Sequence, residues 1–198
     1  HTLDLFLGYN QIGVAGSKAV AMLRRVPSLR KLELDLSQNH LGPYEAQHLA
    51  MLKEAPELVD FKLFLVQNDL GDRGVQVLSA LKDIKKLEFL RIELNENGVG
   101  PVGAQALSGF KDSKRLKSLW MNIDHNPIGD RGAQALAQLS ESRTLTNLDL
   151  WVSDCQISNV GLKSLGSLYQ TPSLEKIHLN IIQNNFGPRG VQYLTASS

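Results

Sequence analysis

The asparagine at position 97 recurs, together with its surroundings, every 29 residues along the chain. Stepping by that interval reaches Asn10, Asn39, Asn68, Asn97, Asn126, Cys155 and Asn184 with no gap or insertion. Seven, five and three residues before each marker stand apolar residues, as in Leu32/Leu34/Leu36 or Leu90/Ile92/Leu94. Three residues after the marker is glycine in six units and Ser158 in the other; six after it, glycine again fills six positions, with Glu45 the exception. Such a period constrains the fold more than any motif does. A unit this short cannot bury its own apolar face, so it becomes stable only when stacked on its copies.

Alternation at period two, as in "LELDL" and "FKLFL", predicts a strand with one buried face. After the marker turn, Asp72 and Asp130 suit a helix N-cap, and Pro43, Pro101 and Pro188 suit a first helical turn. Ala104, Leu107 and Phe110 then form an apolar stripe that predicts a helix of about three turns. Lys53, Lys82 and Lys111 fall at its last turn, where a cation complements the helix dipole. Pro27, Pro56 and Pro172 block continuation. Strand–helix–strand steps close right-handed and give a parallel sheet. Strands sit about 4.8 Å apart and helices about 8–10 Å apart, so each unit should bend the stack by roughly 25°. The expectation is an α/β solenoid, an open arc of about seven units in one domain (1–198), with the sheet inside and the helices outside. Neither end carries a polar cap, and Ser197 stands where other units have Leu or Phe. That suggests a segment of a longer chain or of an assembly.

The repeat also disposes of a false lead. "NENGVGPVGAQAL" contains Gly98, Gly100 and Gly103 in the spacing of a dinucleotide-binding loop. Gly100 and Gly103 are ordinary repeat positions; only Gly98 is peculiar to its unit. No cofactor is expected. The five histidines occupy different unit positions and form no ligand pair, so neither a metal nor an enzyme activity is expected. With 21 basic and 20 acidic residues, net charge draws the chain to neither nucleic acid nor an anionic membrane. No apolar run reaches the roughly 20 residues of a membrane span. A single cysteine fits a reducing compartment.

The pattern L-x-x-L-x-L-x-L-x-x-N-x-(L/I/V)-G, seen as "LRKLELDLSQNHLG" and "LEFLRIELNENGVG", resembles the leucine-rich repeat family. The helix-bearing 29-residue unit is similar to its ribonuclease-inhibitor-like class. An extra L-x pair lengthens the strand relative to the common unit, as in repeats abundant in ciliates and other protists. The resemblance implies a structural role for the marker residues: Asn10, Asn39, Asn68, Asn97, Asn126 and Asn184 bond backbone in a ladder along the solenoid. Cys155 matches the family's alternative at that position.

The positions six and four before the marker face outward on the sheet and are free to vary. They carry both tryptophans of the chain, Trp120 and Trp151, on adjacent strands. Exposed tryptophan is enriched at binding hot spots. Arg91 should lie beside Trp120, within cation–π reach. Across the five variable positions, eight, six, four, two and one before the marker, acids outnumber bases nine to four, Asp124, Asp149 and Glu93 among them, while Phe64 adds apolar surface. The candidate partner-binding set is therefore Trp120, Trp151, Arg91, Phe64, Glu93, Asp149 and Asp124. It favours a protein partner with a basic, partly apolar surface and repels nucleic acid. Two function classes stay open: a non-catalytic interaction scaffold, and an architectural subunit or spacer of a large ciliary or cytoskeletal complex. The resemblance adds a remote third, a GTPase-activating arc, none of whose functional residues match here. An intracellular, cytoplasmic setting is expected.

Overall fold

The computed structural model describes residues 1–195, so Ser197 lies outside the described residues. Seven five-residue strands recur at the repeat interval: β1 (Thr2–Phe6), β2 (Lys31–Asp35), β3 (Asp60–Phe64), β4 (Phe89–Glu93), β5 (Ser118–Asn122), β6 (Asn147–Trp151) and β7 (Lys176–Asn180). They form one parallel sheet in chain order. Equivalent positions pair throughout, so that Leu32 meets Phe61, Phe61 meets Leu90 and Leu90 meets Leu119. Between strands lie α1 (Gly13–Ala21), α2 (Pro43–Ala50), α3 (Gly71–Leu78), α4 (Pro101–Leu107), α5 (Gly129–Leu136) and α6 (Asn159–Gly166), and α7 (Pro188–Thr195) follows β7. The chain is thus an open solenoid arc with sheet and helices on opposite sides of one continuous apolar layer. At the two ends, Leu3, Leu5 and Leu7 and Ile177, Leu179 and Ile181 are only partly buried.

The helices differ from expectation in an instructive way. Each of α1 to α6 is an α-helix of two turns or slightly more that tightens into a 3-10 turn before the chain leaves for the next strand. In the fourth unit Ala104 and Leu107 lie in α4, and Phe110 lies in the 3-10 turn Ser108–Asp112. An apolar spacing of three and three drifts off one face of an α-helix at 3.6 residues per turn, but a turn with 3.0 residues restores it. All three side chains are fully buried as a result.

The marker asparagines stitch each unit to the one before. Asn126 Oδ1 accepts from the backbone N–H of Asn97 (3.1 Å) and Val99 (2.8 Å). Its Nδ2 donates back to Leu94 O at 2.9 Å and to its own turn at Ile123 O. Asn68 does the same for Asn39 and Leu41, and Asn184 for Cys155 and Ile157. Asn39 and Asn97 likewise reach back to the N–H of Ile12 and Leu70. Asn10, the first marker, bonds its own turn at Leu7 O and Gly8 O. Cys155 keeps the donor side of the scheme, its Sγ 3.3 Å from Ile123 O and from Ser153 O. It lacks a carbonyl, and Ile128 N–H donates to Asn126 O instead. Burial pushes the Cys155 thiol up to about 12, which keeps it protonated and unreactive.

The turn itself is strained. The residue before each marker has positive φ in all seven units (Tyr9, Gln38, Gln67, Glu96, His125, Asp154, Gln183), although none is glycine. Beyond the marker, two loop forms alternate. Units two, four and six place the residue after the marker at positive φ (His40, 54°; Gly98, 67°; Gln156, 60°) and start the helix at Pro43, Pro101 or Asn159. Units one, three and five place positive φ at Gly13, Gly71 and Gly129 and start the helix there. Gly98 is therefore the favourable residue for a loop conformation that His40 and Gln156 adopt at a cost.

The alternation also sets how the helices are capped. Asp72 and Asp130 do not cap their own helices; each sits inside the first turn and reaches the helix of the next unit. Asp72 Oδ1 accepts from Gly100 N–H (2.7 Å) and Gly103 N–H (2.8 Å). Asp130 accepts from Ser158 N–H (2.8 Å), Gly161 N–H (2.9 Å) and the Ser158 hydroxyl (2.6 Å). Asn159 does likewise for Gly187 N–H. A Cβ at Gly103 would lie 2.8 Å from Asp72 Oδ1, so this position must stay bare where a carboxylate arrives from the previous unit. The second unit receives none, because its predecessor has Val14 there. Its own Glu45 caps Gly42 N–H instead, which explains the one break in that glycine column.

Three outcomes are expected in chemical denaturation. Asn126→Ala leaves the buried N–H groups of Asn97 and Val99 without acceptors and should lower stability by about 3 kcal/mol. His40→Gly, at an exposed side chain, should raise it by about 0.5–1 kcal/mol. Asp130→Ala should cost about 1–2 kcal/mol, and Asp130→Asn, which keeps the acceptor, less. Burial opposes ionisation of Asp130, but the Ser158 hydroxyl and the Ser158 and Gly161 N–H groups outweigh it and hold the carboxyl below its ordinary value of 3.8. A depressed folded-state value stabilises fully above the unfolded one and is lost as pH falls through it. The gap between wild type and Asp130→Asn should therefore close on acidification below about 4.

Candidate functional site

Side chains at positions six and four before the marker project from the open face of the sheet, and the register sets them side by side. Arg91 pairs with Trp120, Trp120 with Asp149, and Trp151 with Asn122 and Asn180. Because flat side chains on neighbouring strands are close enough to touch, they assemble into a row. Phe64, Arg91, Trp120, Trp151 and His178 run across five consecutive strands. The Arg91 guanidinium carbon lies 5.2 Å from the Phe64 ring centre and 4.1 Å from that of Trp120. Trp120 and Trp151 are 5.6 Å apart at 41°, and His178 meets Trp151 edge-on at 5.9 Å.

Carboxylates fix this row from both sides. Arg91 Nε and Nη2 donate to Glu93 Oε1 at 2.9 and 2.6 Å, which holds the guanidinium flat between its two rings. Trp151 Nε1 donates to Asp149 Oδ1 at 2.6 Å, and His178 Nδ1 lies 3.2 Å from Asp149 Oδ2. Both indoles are half-buried by these neighbours, not freely exposed as their positions suggested. Beside Trp120 and Asp149 the face dips into a hollow of about 290 Å³ floored by Phe89, Leu148 and Ile177. Phe89 and His178 were not among the expected site residues. The signal for His178 was its place in the same row as Trp120; Phe89 stands one row further out, at the rim.

Asp124 does not belong to the site. It is 8 % exposed, and its Oδ1 accepts from Ser153 N–H of the next unit, so its charge is spent on backbone. It lies two before the marker, where the strand has ended and the chain is already turning into the buried ladder. Some other acids on the face are paired laterally. Lys62 Nζ lies 2.7 Å from Glu33 Oε2, and that carboxylate raises the lysine's pKa against the opposing effect of burial. His125 meets Asp154 at 3.0 Å.

Among the described residues no three His, Cys, Asp or Glu side chains converge as metal ligands would. No described helix is long and apolar enough to cross a membrane. The arrangement offers apolar ring surface with most polar atoms already satisfied, and carboxylate oxygens at its margins.

A family model described as Leucine Rich repeat matches residues 121–137 and 141–166, which run from the end of β5 through α5 and from before β6 to the end of α6. No curated protein matches the chain. A crystal structure of an internalin from Listeria monocytogenes aligns at 16% identity over 96% of this chain and 71% of that one, with a TM-score of 0.33. That overlap is too low to bear on the shape or use of this arc. The unit that the family model recognises recurs, with the same strand register and the same turn, from β1 to β7, and the chain has the architecture of a leucine-rich-repeat solenoid.

Proposed function

We propose that the protein is a non-catalytic interaction module that grips a protein partner on the open face of its sheet. The observation that supports this reading most is the row Phe64–Arg91–Trp120–Trp151–His178. It is a half-exposed strip of stacked rings held by Glu93 and Asp149, crossing β3 to β7 of a face that is otherwise largely polar. Aromatic side chains immobilised before binding lose little entropy on contact, which is why Trp dominates hot spots. The hollow beside Trp120 suits one apolar side chain of the partner. The carboxylates of Asp149 and Glu93 suit basic groups around it, so the matching surface is partly apolar and basic.

A second reading has its own support. Two tryptophans packed on each other and on their strand neighbours also tie β5, β6 and β7 together, as purely structural pairs do. The arc would then serve as an architectural spacer, contacted through its edges and helices. The two readings diverge for Trp120→Ala and Trp151→Ala. The chain has only these two tryptophans, so binding is followed by fluorescence of each single variant and by calorimetry of the double one. As an interaction site, each substitution should weaken capture of the cross-linked native partner by about 2 kcal/mol, roughly thirtyfold. Full retention of the partner by a double variant that has lost stability would establish the spacer.

A further inference from the structure

Parallel topology collects every helix-to-strand connection on one edge of the arc, away from the aromatic row. In three consecutive units, segments 82–88, 111–117 and 140–144 carry eight bases and four acids. Twelve residues before the marker, where the second, third and seventh units have Pro27, Pro56 and Pro172, these units have Lys85, Lys114 and Arg143. All three side chains are exposed, and none makes an ion pair or side-chain hydrogen bond among the described residues. Their neighbours are committed elsewhere: Lys86 to Glu57 at 2.6 Å, and Lys117 and Arg115 to Glu88 at 3.1 and 3.5 Å. Lys117 first, then Arg115, hold the Glu88 carboxyl below its ordinary value, so Glu88 is not free to neutralise the column.

The backbone beneath the column is fixed. Ser113 Oγ donates to Lys82 O and Thr144 Oγ1 to Ser113 O, both at 3.0 Å and both across units. Two hollows open along it, of about 640 and 280 Å³, and they share Lys114 and Thr144. Their walls hold lysine, arginine, acids, serine and threonine, but no aromatic ring.

We propose that this edge is a second docking surface, and that Lys85, Lys114 and Arg143 receive an extended acidic peptide segment of a partner protein. Successive units step between about 4.8 Å at the strands and about 10 Å at the helices. Alternate carboxylates on an extended chain are about 6.8 Å apart, within that range. Nucleic acid fits less well. There is no ring on which a base can stack, and exposed Asp83 and Asp112 interrupt the column where a continuous phosphate backbone would have to pass. The surface differs in place and charge from the aromatic row and does not depend on it.

The test uses the whole 198-residue chain and a fluorescein-labelled peptide of alternating Glu and Ser, followed by anisotropy at about 0.15 M salt. Saturable binding is expected, weakened at least tenfold by Lys85→Ser/Lys114→Ser/Arg143→Ser. It should be unchanged by Arg73→Ser/Arg131→Ser on the opposite edge, and unchanged by Trp120→Ala/Trp151→Ala. Absence of saturable binding, or equal binding by the triple variant, overturns the proposal. So does tighter binding of single-stranded RNA or phosphatidylserine vesicles through the same three residues. Sedimentation of the wild type as a dimer that the triple variant dissolves would likewise overturn it, in favour of a second copy of this chain.

Discussion

The structure depends on backbone groups that no unit can satisfy by itself. The turn after each strand places N–H groups in the interior, and, except in the fifth unit, where Cys155 follows, their acceptor in units two to six is the side-chain carbonyl of the next unit's asparagine. Leaving such groups unpaired costs about 1–3 kcal/mol each, so a lone unit is unstable for polar reasons as well as for lack of a core. Hydrophobic stacking alone tolerates slippage. The asparagine ladder does not, since a shift by one residue would orphan two donors and a carbonyl per unit. It is what holds seven strands in one unbroken register.

The helices follow the same principle with different chemistry. A helix N-terminus exposes donors that need an acceptor, and for α4, α6 and α7 the acceptor comes from the first turn of the preceding helix through Asp72, Asp130 and Asn159. Glu45 acts within its own unit only where Val14 leaves nothing to receive. Polar hand-offs thus run along both layers in opposite senses. On the sheet side each unit is completed by its successor; on the helix side units four, six and seven are completed by their predecessors, whereas the Gly71 and Gly129 N–H groups of units three and five donate forward to Asn97 O and Cys155 O. Removing one link perturbs a neighbour more than the unit that carries the mutation.

What the sequence disclosed divides along the same line. Positions set by contacts identical in every unit were legible: the apolar triplet, the marker column, the parallel order of strands. Positions set by a contact to the next unit were harder. Asp72 and Asp130 read as caps of their own helices because local spacing says nothing of a partner about 28 residues ahead. Asp124 read as an outward residue because strict alternation was carried two residues past the strand's end. The tryptophans were placed on the right strands, but their mutual burial depends on rotamers, which a repeat pattern does not encode. The two loop forms were visible as alternating Gly-Pro or Ser-Asn and Gly-Asp or Gly-Val pairs. They gain meaning only from the backbone angles.

A solenoid built this way separates its duties by position. Stability resides in positions that every unit shares, while the open face and the helix-to-strand edge are free of the repeat. That freedom has been used unevenly. The face stacks its touching rings over β3 to β7, and the edge gathers unpaired cations over three of the same units. Charge of opposite sign on two adjoining surfaces of one rigid body also favours a single orientation of any partner that touches both, because turning it around would set like charges against each other. Glu93 and Asp149 hold the side chains of the face, and the Ser113 and Thr144 hydroxyls hold the backbone beneath the edge, before any partner arrives. On the face the ordering entropy is thereby met in folding and need not be met again in binding, whereas the long cations of the edge still lose rotamer freedom on contact.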